Sequence, residues 1–291
     1  MKTGAWGPWP RRVDGGALAL PALLVASVFA AGMAMVFQYS LRAFIPGSME
    51  VGGLTTENFT TLAQPRYAWV LLQTVRICAE TALAALVLGY PLAWALVTAR
   101  NRLFKSFVLV TSVTPLFLGE IVRTYAWIVV LGRNGFINWV LLRGGVIDEP
   151  LELMFTEPGV VVALVHVTLP VMVLMLAAGL SHIDPVYARA ATGMGAGRVR
   201  RFLLITLPLS MPAVVIAFTT GFAWTFSAFA TPQIIGGGKV PMVSTLVYQL
   251  GLASFHFPFA AALSLVGLAL ALGSLAIVRR LLSPLAGLGG A

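Results

Sequence analysis

The sequence is poor in charged residues. Only 10% of its 291 residues are Asp, Glu, Lys or Arg, whereas 59% are hydrophobic. A soluble domain carries about 25% charged residues, so this chain lacks the polar surface that water requires. The mean hydropathy of +0.92 points in the same direction. The composition therefore indicates a protein that folds in lipid.

Side chains for metal binding and redox chemistry are also scarce. The single cysteine, Cys78, excludes an intrachain disulfide and a cysteine-cluster metal site. The three histidines are His166, His182 and His256, and they lack the spacing of metal ligands. The segment 235–239, IGGGK, lacks the first Gly and the following Ser or Thr of a phosphate-binding loop. The sequence therefore predicts no cofactor, no metal site and no ATP-binding loop.

Long apolar stretches are what the sequence does have. Six of them can cross a hydrocarbon core of about 30 Å at about 1.5 Å per residue. The first is longer than the apolar region of a cleaved signal peptide, so we interpret it as a membrane anchor. A shorter apolar segment, 241–252, is predicted to be interfacial or re-entrant. The chain is thus predicted to be one all-α, polytopic membrane domain covering 1–291, with spans at 17–38, 69–97, 106–131, 158–180, 204–229 and 259–279.

Basic residues are divided unevenly between the two sides of these spans. Cytoplasmic connections carry the excess of Lys and Arg, which predicts that both termini and the 181–208 connection are cytoplasmic. Arg76 and Arg123 lie within spans. The predicted inner set is Lys2, Arg11, Arg12, Arg100, Arg102, Lys105, Arg189, Arg198, Arg200, Arg201, Arg279 and Arg280, and the smaller outer set is Arg42, Arg66, Arg133, Arg143 and Lys239.

The 181–208 connection has more internal organisation than a basic loop needs. Asp184 followed by Pro185 is a helix-start pair, because Asp caps a helix and Pro fits its first turn. The next residues, VYARAA, are able to form a short amphipathic helix, and the glycine-rich GMGAG ends it. Gly195 is expected to need a positive φ. The pattern predicts a compact knob that leads back into the membrane.

The spacing inside this connection resembles the EAA loop of binding-protein-dependent ABC importer permeases. That pattern has two alanines, three residues to a Gly, then nine residues to Ile-x-Leu-Pro. Arg189 stands where the pattern has Glu. The resemblance implies a coupling helix that docks into a groove of a cytoplasmic ATPase, with the small alanine pair permitting close approach. The residues assigned to it are Asp184, Arg189, Ala190, Ala191, Gly195, Ile205, Leu207 and Pro208.

Other segments resemble the spermidine/putrescine-type permease subunits. They are 52–62 (GGLTTENFTTL), 88–96 (LGYPLAWAL), 122–138 (VRTYAWIVVLGRNGFIN), 229–238 (FATPQIIGGG) and 258–264 (PFAAALS). The resemblance implies a type I ABC importer permease fold and a non-catalytic subunit of the inner membrane. It also implies three partners, namely a second permease subunit, an ATPase dimer and an external substrate-binding protein. The implied cargo is a polyamine or a related cationic or amino-acid-like compound.

Charged residues inside the predicted spans admit two interpretations. Arg76 and Glu80 lie four residues apart, and Glu120 and Arg123 lie three apart, so each pair shares a helix face. Charges within a membrane are costly and face the protein interior or water. The pattern favours a structural ion-pair cluster that joins the second and third spans. The alternative is that Glu80 or Glu120 attracts a cationic substrate, with cation–π contacts from Tyr125, Trp127, Trp224 or Phe226.

Two other classes of protein stay open at this point. A secondary transporter or channel would need internal repeats, and none is detected in the sequence. An intramembrane enzyme would need a nucleophile among convergent polar groups, which the Arg and Glu residues lack. Copurification with an ATPase would separate the importer subunit from both alternatives.

Overall fold

The computed structural model describes residues 15–47 and 50–287. The basic residues Lys2, Arg11 and Arg12, which entered the orientation prediction, lie outside this part. The helices are α1 (Gly15–Ser40), α2 (Glu57–Leu62), α3 (Pro65–Thr98), α4 (Arg102–Phe117), α5 (Glu120–Leu131), α6 (Phe136–Arg143), α7 (Glu157–Ser181), α8 (Pro185–Gly193), α9 (Arg198–Arg201), α10 (Leu207–Ser227), α11 (Ala230–Gly236), α12 (Val243–Tyr248) and α13 (Phe257–Gly287). Two strands, β1 (Arg42–Phe44) and β2 (Val51–Leu54), pair as an antiparallel hairpin, and 202–206 and 249–253 are π-helical.

Six helical segments of the described part are long and apolar enough to cross a membrane. Five of them match predicted spans along most of their length, the sixth overlaps the predicted span 106–131 only in part, and the polytopic helical fold is confirmed. They are Leu20–Ser40, Pro65–Thr98, Glu120–Arg143, Glu157–Ser181, Arg198–Ser227 and Phe257–Arg280. The short apolar helix at Val243–Ala253 matches the predicted interfacial segment.

The third predicted span, 106–131, is wrong as a single helix. The chain forms α4 and α5 with a break at Leu118 and Gly119, and the candidate span is Glu120–Arg143 instead. Gly119 has ψ of 144°, which is extended and not helical. Pro115, one turn earlier, has no backbone N–H to donate, so the helix is already weakened there. Hydropathy continues across the break, and sequence hydropathy alone therefore merges the two helices.

The core is built by α3, α7 and α10. Helices α3 and α7 run in the same direction, because Arg76 contacts Glu157 near one end and Gly89 lies against Val173 further along. Close approach of α7 and α10 depends on a glycine, since a Cβ on Gly179 would overlap the Ala213 Cβ. Small residues at helix interfaces allow this packing in membranes.

Side-chain hydrogen bonds also connect the helices. Tyr90 on α3 and Ser210 on α10 are 2.8 Å apart between their hydroxyl oxygens. The Val243 N–H donates to Thr74 Oγ1 at 3.0 Å, which ties the start of α12 to α3. These contacts provide hydrogen-bond partners for polar groups that have no water to bind inside a membrane.

The two ends of this bundle differ in what they carry. At one end, the β1–β2 hairpin and α2 pack near the start of α13, where the Phe44 and His256 rings stack with centroids 4.0 Å apart. At the other end, α3 and α7 finish close to α8, and a cavity there is lined by Thr98, Leu180 and Arg189. The 181–208 connection therefore projects from the end opposite to the hairpin.

Candidate functional site

The 181–208 connection begins with the helix cap that its sequence predicts. The Asp184 carboxylate accepts a hydrogen bond from the Val186 N–H at 2.8 Å, and Pro185 is the first residue of α8. The cap satisfies one of the backbone donors that every helix start leaves free. Asp184 thus fixes where the short helix begins.

The same helix ends in a Schellman motif centred on Gly195. The Ala196 N–H donates to the Ala191 carbonyl at 2.9 Å, and the Gly195 N–H donates to the Thr192 carbonyl at 3.0 Å. Gly195 has φ of +80°, which confirms the predicted positive value. An added Cβ at Gly195 would meet no atom within 4 Å, so the requirement for glycine is conformational and not steric.

The two alanines of the loop do not share one surface. Ala190 is exposed, whereas Ala191 is only 1% exposed and is buried within this chain. The interpretation of Ala190 and Ala191 as one contact pair is therefore corrected. Ala191 packs the loop against its own neighbours, whereas Ala190 and Arg189 are both exposed.

The second half of the motif belongs to the helix that returns to the membrane. Helix α9 continues through the π-helical segment Phe202–Thr206 into α10 without interruption. Ile205, Leu207 and Pro208 are half-buried there, and Leu207 packs on the apolar core between α3 and α7. The motif thus consists of an exposed half, α8 with its Gly195 turn, and a half-buried half at Ile205, Leu207 and Pro208 that anchors it in the bundle. One hydrogen bond links these halves, from Arg201 Nη1 to Thr192 Oγ1 at 3.0 Å.

The intramembrane charges are arranged differently from the predicted cluster. Arg76 Nε donates to Glu80 Oε1 at 2.8 Å, as the spacing predicts. The second partner of Arg76 is Glu157 on α7, with Nη2 and Oε1 2.9 Å apart. The ion pairs therefore join the second span to α7 and not to α5. The sequence shows that Glu157 and Pro158 form a helix-start pattern, but this pattern does not indicate that Glu157 contacts Arg76.

Arg123 and Glu120 do not pair with each other. Arg123 is 9% exposed, and its Nη1 donates to the Pro115 carbonyl at 2.9 Å, across the break between α4 and α5. Glu120 is exposed, and its carboxylate makes no ion pair or hydrogen bond with any residue of the described part. Arg123 thus has a structural contact, whereas Glu120 is available to a partner outside this chain.

The candidate aromatic residues are not gathered into one box. Tyr125 is 59% exposed and Trp224 is 47% exposed, and they lie on different helices. Phe226 is half-buried with its ring centroid 6.3 Å from that of Phe222. Trp127 Nε1 donates to His166 Nδ1 at 3.2 Å, which gives both side chains a structural partner. A cation–π site formed by these residues together is not present in the chain as described.

The family profile described as "Binding-protein-dependent transport system inner membrane component" matches residues 85–284. The chain belongs to this family. The matched range includes the whole 181–208 connection, all of α7 and α10, and the final part of α3 from residue 85. This protein is therefore the multi-pass, inner-membrane permease of a binding-protein-dependent ABC importer, and a transport subunit without a catalytic centre of its own.

Individual relatives agree with this membership. The permease is 31% identical over 211 residues to the spermidine/putrescine transport system permease protein PotB of Escherichia coli (strain K12), which covers 72% of this chain and 76% of the relative. It is also 31% identical over 221 residues to the molybdenum transport system permease protein ModB of the same organism, covering 74% and 93%.

A solved structure shows the same fold. A chain of a bacterial ABC transporter involved in the import of the acidic polysaccharide alginate superposes with a TM-score of 0.71 at 18% sequence identity, covering 91% of the permease and 94% of that chain. The type I importer permease fold is thereby confirmed. The relatives and this structure differ in what their names say they transport.

Proposed function

We propose that the permease forms the translocation path for a small cationic solute of the polyamine class. The observation that carries this proposal is the free Glu120 carboxylate at the start of the candidate span Glu120–Arg143. A carboxylate inside a membrane is costly unless it meets water or a cation. Arg76 is already engaged by Glu80 and Glu157. Glu120 therefore suits a positively charged ligand and would oppose an anionic one such as molybdate.

The 181–208 connection is proposed to be the coupling element. The capped helix α8 and its Gly195 turn form an exposed knob, and Arg189 and Ala190 are among its exposed residues. In this proposal, both termini and α8 lie in the cytoplasm, and α8 docks onto the partner ATPase. ATP-driven movement of α8 is then transmitted through the anchor at Leu207 and Pro208 into α10.

The assembly is proposed to contain two different permease subunits. The resemblance to spermidine/putrescine-type permeases supports a heterodimer, with an ATPase dimer below and an external binding protein above. This protein would then contribute one half of the path, and Glu120 would face the other half or the cargo.

Uptake by the reconstituted importer tests the cargo. The permease, its second permease subunit, the ATPase and the external binding protein are placed in proteoliposomes with internal ATP. We expect uptake of labelled spermidine or putrescine and no uptake of molybdate. Transport of molybdate, with none of either polyamine, would contradict the proposed cargo while leaving the family membership intact.

Cysteine labelling in intact cells tests the orientation. The native Cys78 is buried, so it gives little background. Cysteines introduced at Glu57, Asp148 and Lys239 should react with an impermeant thiol reagent, whereas a cysteine at Arg200 should react only after the cells are opened. Reaction of position 200 in intact cells would overturn the orientation.

A further inference from the structure

Two cavities meet where α3 ends and the chain returns to the membrane after α8. The first has a volume of about 340 Å³, and its wall is largely apolar and aromatic with one charged residue, Arg198. The second has a volume of about 720 Å³ and opens toward the coupling helix. Trp94, Arg198 and Phe202 line both, so the two cavities adjoin at these three residues. We refer to the two adjoining cavities together as the Trp94 groove.

The polar half of the Trp94 groove is positively charged. Arg189, Arg198 and Arg201 line it, against one carboxylate, Asp184. That carboxylate already accepts the Val186 N–H as the cap of α8. Guanidinium groups bind phosphate oxygens through paired, charge-assisted hydrogen bonds. This half of the groove therefore suits a phosphate group.

The apolar half continues from the same arginine along the membrane. Val199 is 71% exposed and Leu203 is 50% exposed, and both line it together with Pro91. The floor is aromatic, because the Phe202 ring lies 5.7 Å from that of Tyr90 and 5.5 Å from that of Trp94. A free phosphate ion would use none of this surface. A ligand with both a phosphate and a hydrocarbon chain would use all of it.

We propose that the Trp94 groove binds one anionic phospholipid of the leaflet on the side of the coupling helix. The phosphate lies between Arg198 and Arg201, and an acyl chain follows Leu203 along the apolar half. Basic pockets between membrane helices bind anionic lipid headgroups in this manner. The assignment to the cytoplasmic leaflet rests on the proposed orientation, whereas the binding itself does not.

General attraction of basic loops to the membrane does not account for the groove. Arg200 carries the same charge on the same short helix, yet it lines neither cavity. A lipid that needs only positive charge would treat Arg198 and Arg200 alike. A lipid seated in the groove depends on Arg198 and Arg201 and not on Arg200.

The Trp94 groove is also linked to the coupling helix α8 by a hydrogen bond. Arg201 donates to Thr192 of α8 at 3.0 Å, so a phosphate held by Arg201 would fix the coupling helix against the returning helix. Loss of the lipid would leave α8 held by one contact fewer on this side. Substrate-stimulated ATP hydrolysis should therefore depend on anionic lipid through Arg201.

Quenching of Trp94 fluorescence tests the proposal in the assembled importer in lipid nanodiscs. Trp94 is 40% exposed and lines both cavities, so a brominated acyl chain in the groove should quench it. The fluorescence of Trp94 is obtained by subtracting the fluorescence of the Trp94→Phe variant from that of the wild type. Brominated phosphatidylglycerol should quench this signal at a mole fraction several-fold lower than brominated phosphatidylcholine does.

Matched variants separate a seated lipid from general attraction. Arg198→Gln should lower the preference for phosphatidylglycerol over phosphatidylcholine roughly fivefold. Arg200→Gln should leave that preference unchanged. Leu203→Trp fills the apolar half and should also remove the preference for phosphatidylglycerol. Leu204→Trp lies next along the helix and outside both cavities, so it should leave the preference unchanged. Each of these tryptophan variants is compared with a double variant that also carries Trp94→Phe.

Three results would overturn the proposal. One is equal quenching by the two brominated lipids, and another is an equal loss in Arg198→Gln and Arg200→Gln. The third is full quenching in the permease pair that disappears when the ATPase binds, because the occupant in the assembled importer would then be the ATPase. Relief of quenching by millimolar inorganic phosphate would show an anion site without a lipid and would also contradict the proposal.

Discussion

The Arg76 guanidinium joins two helices of the core, because its Nη2 lies 2.9 Å from Glu157 Oε1 on α7 while its Nε bonds Glu80 on α3. Glu80 lies four residues away on the same helix, whereas Glu157 is reached only by packing α3 against α7. The Arg76 side chain is 57% exposed, so water or a lipid headgroup competes with both pairs.

The interhelical pair should matter more to assembly than the local one. Glu157→Gln is expected to lower the thermal unfolding temperature of the detergent-solubilised permease more than Glu80→Gln does. The reason is that, of these two carboxylates, only Glu157 links α7 to α3. Fluorescence-monitored size-exclusion after heating measures this. An equal or larger loss in Glu80→Gln would show that the local pair dominates.

Glu120 and Glu80 should affect transport in different ways. Glu120→Gln removes a carboxylate that has no partner in the described part of the chain, so we expect normal protein levels and weaker apparent affinity for a cationic cargo. Glu80→Gln should leave that affinity unchanged, because its charge serves Arg76. The measurement is uptake by proteoliposomes against substrate concentration. Normal affinity in Glu120→Gln would remove Glu120 from the path.

Gly195 should be required for coupling and not for insertion. Gly195→Val places a β-branched residue at φ of +80°, a conformation that costs L-residues about 1–2 kcal/mol. We expect normal membrane insertion, reduced ATPase copurification and loss of substrate-stimulated hydrolysis. Gly197→Val is the matched control, since Gly197 has φ of −67° and open space around its Cβ position. Normal coupling in Gly195→Val would contradict the assignment of the loop.

Ala190 and Arg189 test the docking surface itself. Ala190→Trp should weaken ATPase binding without disturbing the loop, because Ala190 is exposed. Ala191→Trp should instead disrupt the loop's own packing. Arg189→Glu restores the residue of the family pattern, and it should be tolerated unless the ATPase groove is adapted to a cation. Normal ATPase binding in Ala190→Trp would place the contact elsewhere on the loop.

His256 should make stability depend on pH. Its Nδ1 accepts the Phe259 N–H at 3.2 Å, and burial lowers the pKa of its imidazole below the usual 6.5. The unfolded chain therefore binds more protons as the pH falls through 6.5, so stability is present above that pH and is lost below it. His256→Phe should remove this loss in thermal unfolding measured between about pH 5 and pH 8. Identical pH profiles would contradict the prediction.

Local signals in the sequence predicted the membrane spans and the two ends of α8. Length and apolarity identified five of the six candidate spans, because crossing lipid sets both quantities directly. The Asp184–Pro185 pair and Gly195 gave the cap and the positive φ, because a helix end is decided by the residues within one turn of it. The charge distribution put Arg42 and the 181–208 connection on opposite sides of the membrane, and in the structure the hairpin that contains Arg42 and this connection lie at opposite ends of the bundle.

Only the tertiary structure decided which distant residues meet. The break at Gly119 leaves hydropathy unchanged, so the sequence merged α4 with α5. The contact between Arg76 and Glu157 on α7 depends on which helices are neighbours and on how far each is shifted along the membrane normal. The same holds for the Trp94 groove between α3 and the returning helix. Helix neighbours are set by the sum of many weak packing contacts, such as Gly179 against Ala213, and no single stretch of sequence records that sum.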